Sequence, residues 1–202
     1  MRLPGHGVAS SRGRTADLLA VGLGNPGEEY AGTRHNVGAE VIALLADRHG
    51  ARLKRAVGRA RSAEVATGGQ LLVLAVPSTY MNLSGEDVAP LVRRYCPHDV
   101  SNLVVVHDEL DLPPGRVKVK VGGGLAGHNG LKSIKAHLHS DAFARVRIGV
   151  GKPPGRQAGA DHVLRRPGKA ERLELDVAIA DAADAVELLL ADGPQRAMNQ
   201  YN

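Results

Sequence analysis

The sequence predicts an α/β fold, a single three-layer α/β/α domain on a mixed, partly parallel twisted sheet. Three observations predict it. Short apolar, β-branched runs alternate with segments whose apolar residues recur every three or four positions, so strands and helices take turns along the chain. Turn residues punctuate these segments, with no separate linker and no internal repeat. The length of 202 residues suits one core rather than two.

Residues 1–16 carry Arg2, Arg12 and Arg14, with no acid before Asp17, and lack the apolar stretch of a secretion signal. They read as a disordered extension, leaving residues 17–202 as the folded domain. Leu18–Leu23 is a buried strand that stops at Gly24. A polar loop then leads from Gly24 to His35. Val37–Ala46 reads as an amphipathic helix with Val37, Val41, Leu44 and Leu45 on one side, Asn36 suited to cap it and Gly50 to stop it. Residues 51–76 are strand material, with Gly68-Gly69 as a hairpin turn and Leu71–Val76 the clearest part.

Ser84 is the expected cap of the next helix, with Glu86 and Asp87 at its positive end. Pro90 should disturb its first turns, and it should stop near Tyr95, ahead of Pro97. Leu103–Val106 reads as an interior strand, Arg116–Val121 as a strand with one wet face, Gly127–Leu138 as a helix and Val146–Val150 as a further strand. The Pro-, Gly- and Arg-bearing stretch 151–168 reads as mobile. Lys169–Ala191 is the last helix, with Leu175, Ile179, Ala183, Val186 and Leu190 as its buried stripe.

Composition narrows the function classes. A net charge of +5 fits a polyanionic partner, although basic charge also serves solubility alone. Aromatic residues are only 2% of the chain, which argues against a broad base-stacking platform. Cys96 is the only cysteine, so no disulfide framework can form within the chain, which fits a cytoplasmic location. No run approaches the ~18 apolar residues of a membrane span.

The polar motifs gather where strands end. Gly22-Leu23-Gly24-Asn25-Pro26-Gly27 has dinucleotide-fingerprint spacing, but the helix that should receive a pyrophosphate starts too late. A tight turn that projects Asn25 into a cleft explains it better. Tyr30-Ala31-Gly32-Thr33-Arg34-His35-Asn36 puts a histidine just before a helix, and Tyr80-Met81-Asn82-Leu83-Ser84-Gly85 lies between a strand end and a helix start. The segment from His107 to Gly115 closes the central strand. Alternation along a strand keeps His107, Asp108, Glu109 and Asp111 from converging easily on a metal, so one carboxylate at the strand tip, holding a histidine from another loop, is the economical reading. Gly122-Gly123-Gly124, ahead of His128-Asn129-Gly130, is an anion-binding nest or a flexible turn.

No G-x-S-x-G elbow is present. A His–Asp pair without a side-chain nucleophile points to general-base activation of water. Asn25, Asn82 and Asn129 suit that chemistry, because carboxamides can hold a peptide backbone and a developing oxyanion without charge.

The stretches Gly22–Gly27, Tyr30–Asn36, Tyr80–Gly85, His107–Gly115 and Gly122–Lys132 stand in the order and approximate separations of one family. Over about residues 18–192 the sequence resembles the bacterial-type peptidyl-tRNA hydrolases. The resemblance implies a phosphorylase/hydrolase-like fold. It also implies hydrolysis of the ester of peptidyl-tRNA or N-blocked aminoacyl-tRNA, which releases peptide and recycles tRNA from aborted translation. On it, His35 is the general base and Asp108 its orienting partner. Asn25 and Asn82 hydrogen bond the peptide main chain, Tyr30, Tyr80 and Met81 line the cleft, and Asn129 places the water or the carbonyl oxygen. Lys118, Lys120 and Arg147 meet the tRNA end, including its 5′ phosphate. The implied partner is tRNA carrying a nascent peptide, with no metal or organic cofactor, no membrane and a monomeric state.

The sequence departs from the family at Leu125-Ala126, where many relatives have His-Gly, and at Tyr80, where Phe is commoner. Two other classes stay open at this point. One is a non-catalytic RNA-binding relative, and the other is an unrelated esterase or peptidase whose activity would ignore salt.

Overall fold

The computed structural model describes residues 14–153, 155 and 158–202. Strands β1 (Leu18–Gly22), β4 (Gln70–Val76), β5 (Leu103–Glu109) and β7 (Ala144–Gly149) run parallel at the centre of one sheet. Antiparallel β2 (Lys54–Arg55) and β3 (Arg61–Thr67) extend it on one side and antiparallel β6 (Val117–Val121) on the other. The order across the seven strands is β2-β3-β4-β1-β5-β7-β6. β1 and β5 are buried at every position, as parallel strands covered on both faces must be.

Alternation along the strands builds two cores. Leu18, Ala20, Leu72, Leu74, Val104, Val106, Val146 and Ile148 pack with helices α1 (Val37–Arg48) and α5 (Lys169–Tyr201). Leu19, Val21, Leu71, Val73, Leu103 and Val105 pack on the other face with α2 (Ser84–Tyr95) and α3 (Asn129–Leu138). The expected stripe of α5 is buried, and α5 breaks at Gly193, two residues past the expected end of the last helix. The three-layer α/β/α architecture read from the sequence is the observed one.

One close approach aims the rest. A Cβ on Gly38 would fall 2.2 Å from the carbonyl oxygen of Val106, and one on Gly22 would fall 2.1 Å from that of Gly38. Backbone therefore rides on backbone where α1 begins. The residues just before α1, Arg34–Asn36, form a single 3-10 turn over the C-terminal ends of β1 and β5. Open parallel sheets place ligands at those ends.

Several local expectations need correction. Asn36 precedes α1 but makes no cap bond; its carboxamide instead clamps the Asn25 backbone, accepting from the amide at 2.8 Å and donating to the carbonyl at 2.9 Å. Ser84 is not the cap of α2 but its first residue, and its hydroxyl donates to the Met81 carbonyl at 2.7 Å. Asp87 takes the amide of Ser78 at 2.8 Å, closing the turn that follows β4. α2 continues through Pro90 to Tyr95.

Most of the expected N-terminal extension, residues 1–13, lies outside the described residues. Its last residue, Ala16, is buried and donates its amide to the Tyr95 carbonyl at 2.8 Å, so the folded domain takes in that residue. Residues 158–168 of the stretch expected to be mobile are fastened down. They contain α4 (Gly159–Val163), and His162 bonds the Val150 carbonyl through Nε2 at 3.2 Å.

Candidate active site

β5 carries His107, Asp108 and Glu109 to its C-terminal end, all buried. Asp108 is 3% exposed, and its Oδ1 receives two imidazoles: His35 through Nδ1 at 2.8 Å and His128 through Nε2 at 3.0 Å. The tautomers follow from the partners. His128 is the N-cap of α3, and its Nδ1 accepts from the amides of Gly130 at 3.1 Å and Leu131 at 3.4 Å. Its proton therefore sits on Nε2, facing Asp108. His35 spends its Nδ1 proton on the same oxygen, which leaves the lone pair of Nε2 to the cleft that His35 lines.

Burial alone would raise the Asp108 carboxyl, but His128 and then His35 hold it well below the usual carboxylate range, so it is an anion at neutral pH. His107 lies beneath His128, ring centroids 5.0 Å apart, and its Nδ1 bonds the Asp108 carbonyl at 2.6 Å. Burial, then the neighbouring His128, presses the His107 pKa down to about 3. It is a neutral ring whose Nε2 has no partner among the described residues.

A cleft of ≈ 410 Å³ opens over this group. Asn25, Tyr30, His35, Tyr80, Met81, Asn82, Asp108 and Asn129, all singled out from the sequence, border it together. Asn25 is held from two sides, its backbone by Asn36 and its Oδ1 by the Met81 amide at 2.8 Å, so its Nδ2 is the end left for a ligand. Tyr30 and Tyr80 stack edge to face at 6.3 Å. Tyr80 is half exposed and forms a rim.

Gly159, Ala160, Val163 and Leu164 close another side of the cleft, which the sequence reading missed. Arg34, the residue before His35, secures them. Its guanidinium grips Glu171 at 2.6 and 2.5 Å and also reaches the carbonyls of His162 and Arg165 at 3.2 and 3.1 Å. Arg166 adds bonds to the carbonyls of Ala31 and Glu28 at 2.8 and 3.1 Å.

Lys118, Lys120 and Arg147 stand away from the cleft lining, on one face of the β6–β7 pair. Lys118 lies directly opposite Arg147, and Lys120 opposite Arg145. Lys120 is exposed and Lys118 partly so. Arg147 is not a free cation: it donates from Nε to buried Glu109 at 3.1 Å and lies 3.0 Å from it through a terminal nitrogen. Glu109 borders the cleft, so this pair joins the basic face to it.

The sequence offered His107, Asp108, Glu109 and Asp111 as possible metal ligands. A different trio, His35, Asp108 and His128, brings its ligand atoms within 4.8 Å of one another. The two imidazole protons directed at Asp108 already account for that closeness, and a cation would have to replace both. The sequence reading also missed His128 as a partner of Asp108. The sequence places it inside the expected helix Gly127–Leu138 rather than at its cap, and nothing local marks its contact with a strand 20 residues away.

Comparisons with known proteins identify the family. The family model for peptidyl-tRNA hydrolase matches residues 19–202. A peptidyl-tRNA hydrolase of Frankia casuarinae is 52% identical over 184 residues, covering 91% of this chain and 93% of its own length. One from Mycolicibacterium vanbaalenii is 50% identical over 187 residues, covering 90% and 95%. The crystal structure of peptidyl-tRNA hydrolase from Acinetobacter baumannii superposes with a TM-score of 0.85 at 39% identity, over 93% of this chain and 96% of that one. With a family match over nearly its whole length, this chain belongs to the peptidyl-tRNA hydrolase family.

Proposed function

We propose that this chain hydrolyses the ester between a peptide carboxyl and the terminal ribose of its tRNA, with water activated by His35. The contact that carries the reading is the 2.8 Å bond from His35 to a buried, ionised Asp108. His35 Nε2 takes a proton from water, water attacks the ester carbonyl, and the proton passes on to the departing ribose oxygen. Asp108 fixes the tautomer and stabilises the imidazolium that forms. Cys96 is not an alternative nucleophile, because burial, then Asp99, pushes its thiol up to about 11 and it lies outside the cleft.

Recognition is divided between two faces. On the peptide side, Asn82 and Asn129 border the cleft with carboxamides that have no hydrogen-bond partner among the described residues, and Asn25 offers Nδ2. These groups suit peptide amides and a carbonyl oxygen that gains charge. The acids at the cleft, Asp108 and Glu109, are already paired, so a free terminal ammonium finds no counter-ion there and N-blocked substrates are favoured.

On the RNA side, Lys118 faces Arg147 and Lys120 faces Arg145 across the strand pair. Opposed like charges destabilise a sheet, and RNA phosphates would relieve that repulsion. The reading is of a monomer that needs no organic cofactor and works in the cytoplasm, where its substrate is.

The test is the hydrolysis of N-acetylaminoacyl-tRNA by the wild type and His35→Ala. The rate in the variant should fall by roughly 10²–10⁴-fold, the usual size of a general-base effect. Full activity in His35→Ala would overturn the assignment.

A further inference from the structure

We propose that Arg145 is a positioning residue for RNA binding, holding the glycine loop Gly122–Gly124 and, through it, the ammonium of Lys120; this rests on the hydrolase reading above. Arg145 lies on β7 directly opposite Lys120 and is 1% exposed. Among the described residues, no carboxylate comes within ion-pair distance of its guanidinium. It donates instead to three consecutive carbonyls: Gly124 at 2.8 Å, Gly123 at 3.3 Å, and Gly122. Its Nε has no partner among the described residues. A buried guanidinium without a carboxylate is a costly arrangement. Burial, then the neighbouring Arg147, lowers its pKa.

What the arrangement secures is the loop. Three glycines bring no side chains with which to anchor themselves, so Arg145 supplies the anchor from below. Gly123 has a left-handed φ of 83°, and a Cβ there would lie 3.0 Å from both Cε and Nζ of Lys120. The lysine side chain therefore rests on bare glycine backbone. The contacts stack in order: guanidinium, glycine carbonyls, Gly123, ammonium. Arg145 is sealed from solvent and cannot itself meet RNA, yet it sets where an exposed cation stands. The same loop runs on through Ala126, at φ 47°, to His128 and Asn129, so its anchor lies between the basic face and the cleft.

Two substrates separate an effect on RNA from an effect on chemistry. One is N-acetylaminoacyl-tRNA. The other is the same ester on a CCA trinucleotide, which has no stem. With Arg145→Met and Gly123→Ala, KM for the full-length substrate should rise about tenfold, the scale of one lost charge-assisted contact, while kcat holds. Kinetics on the trinucleotide ester should stay unchanged. Arg145→Lys should recover only part of the loss, since an ammonium cannot fork to three carbonyls.

Binding of deacylated tRNA should weaken in the same variants with a shallower salt dependence. That measurement stands even if the wild type hydrolyses neither ester, in which case the hydrolase reading fails by itself. Gly123→Ala leaves Arg145 intact, so it serves if Arg145→Met does not fold. A lower Tm with unchanged KM and tRNA binding makes Arg145 a purely structural residue and overturns the proposal. So does an equal loss of kcat on both esters, which would place the loop's effect at the cleft.

Discussion

A carboxylate oxygen that receives two imidazoles is constrained from both sides. Asp108 Oδ1 fixes the ring of His35 and, through His128, the start of α3, where Asn129 sits. Asp108→Asn should therefore lower kcat on N-acetylaminoacyl-tRNA by roughly 10²–10⁴-fold, because a neutral amide can no longer stabilise the imidazolium. Far-UV circular dichroism of the variant should match the wild type; an unfolded spectrum would remove the mechanistic meaning of the loss. His35 and Asp108 were legible because each lies in a polar motif beyond or at a strand end, and strand ends converge in this class of fold. His128 and Arg145 were not. The sequence reading puts His128 inside the helix Gly127–Leu138 and leaves Arg145 just ahead of the strand Val146–Val150, and only tertiary contacts show what each bonds.

At the scale of elements, α4 is held chiefly by residues outside itself. Arg34 bridges the loop before α1 to the first turns of α5 and to the carbonyls of His162, within α4, and Arg165, just after it. Arg34→Met should cost about 1.5–3 kcal/mol, the range for hydrogen bonds to charged groups. Amides of residues 159–166 should then exchange with solvent faster than those of β5, as hydrogen exchange followed by mass spectrometry would report; uniform exchange across the chain would contradict a local latch. Helices α1 and α5 were legible from their periodicity, and α2 from the acids at its start and the proline past its end. Their caps were less so, because Asn36 bonds the Asn25 backbone across the loop and Ser84 bonds the Met81 carbonyl three residues back, and both bonds compete with capping. The fastening of residues 158–168 was invisible for a related reason: its donors, Arg34 and Arg166, read as ordinary basic residues.

For the whole molecule, acid should be more destabilising than the ordinary loss of surface pairs. His107 has its pKa pressed down to about 3 in the fold, against about 6.5 in an unfolded chain. Its contribution is thus fully present above about pH 6.5 and is lost as pH falls toward 3, by about 1.4 kcal/mol per pH unit well inside that window. Asp108, also held low, adds a loss that begins nearer pH 4. Urea midpoints at pH 7 and pH 5 check this. His107→Asn, whose carboxamide can still donate to the Asp108 carbonyl, should show the smaller difference between the two; an equal difference would assign the effect to other groups.

The alternation of strands and helices made the layered fold readable, but the position of each strand in the sheet came only with the structure. That order, β2-β3-β4-β1-β5-β7-β6, has its own consequence. The turns after β1 and β4 carry the groups suited to an amide chain, while β7 and β6 carry those suited to phosphate, with β5 between them. On the proposed reading, two grips a fixed number of strands apart, each strand about 4.8 Å from the next, would gauge the junction of two polymers rather than the bulk of either, so a long nascent chain and a short one would present the same span to be measured.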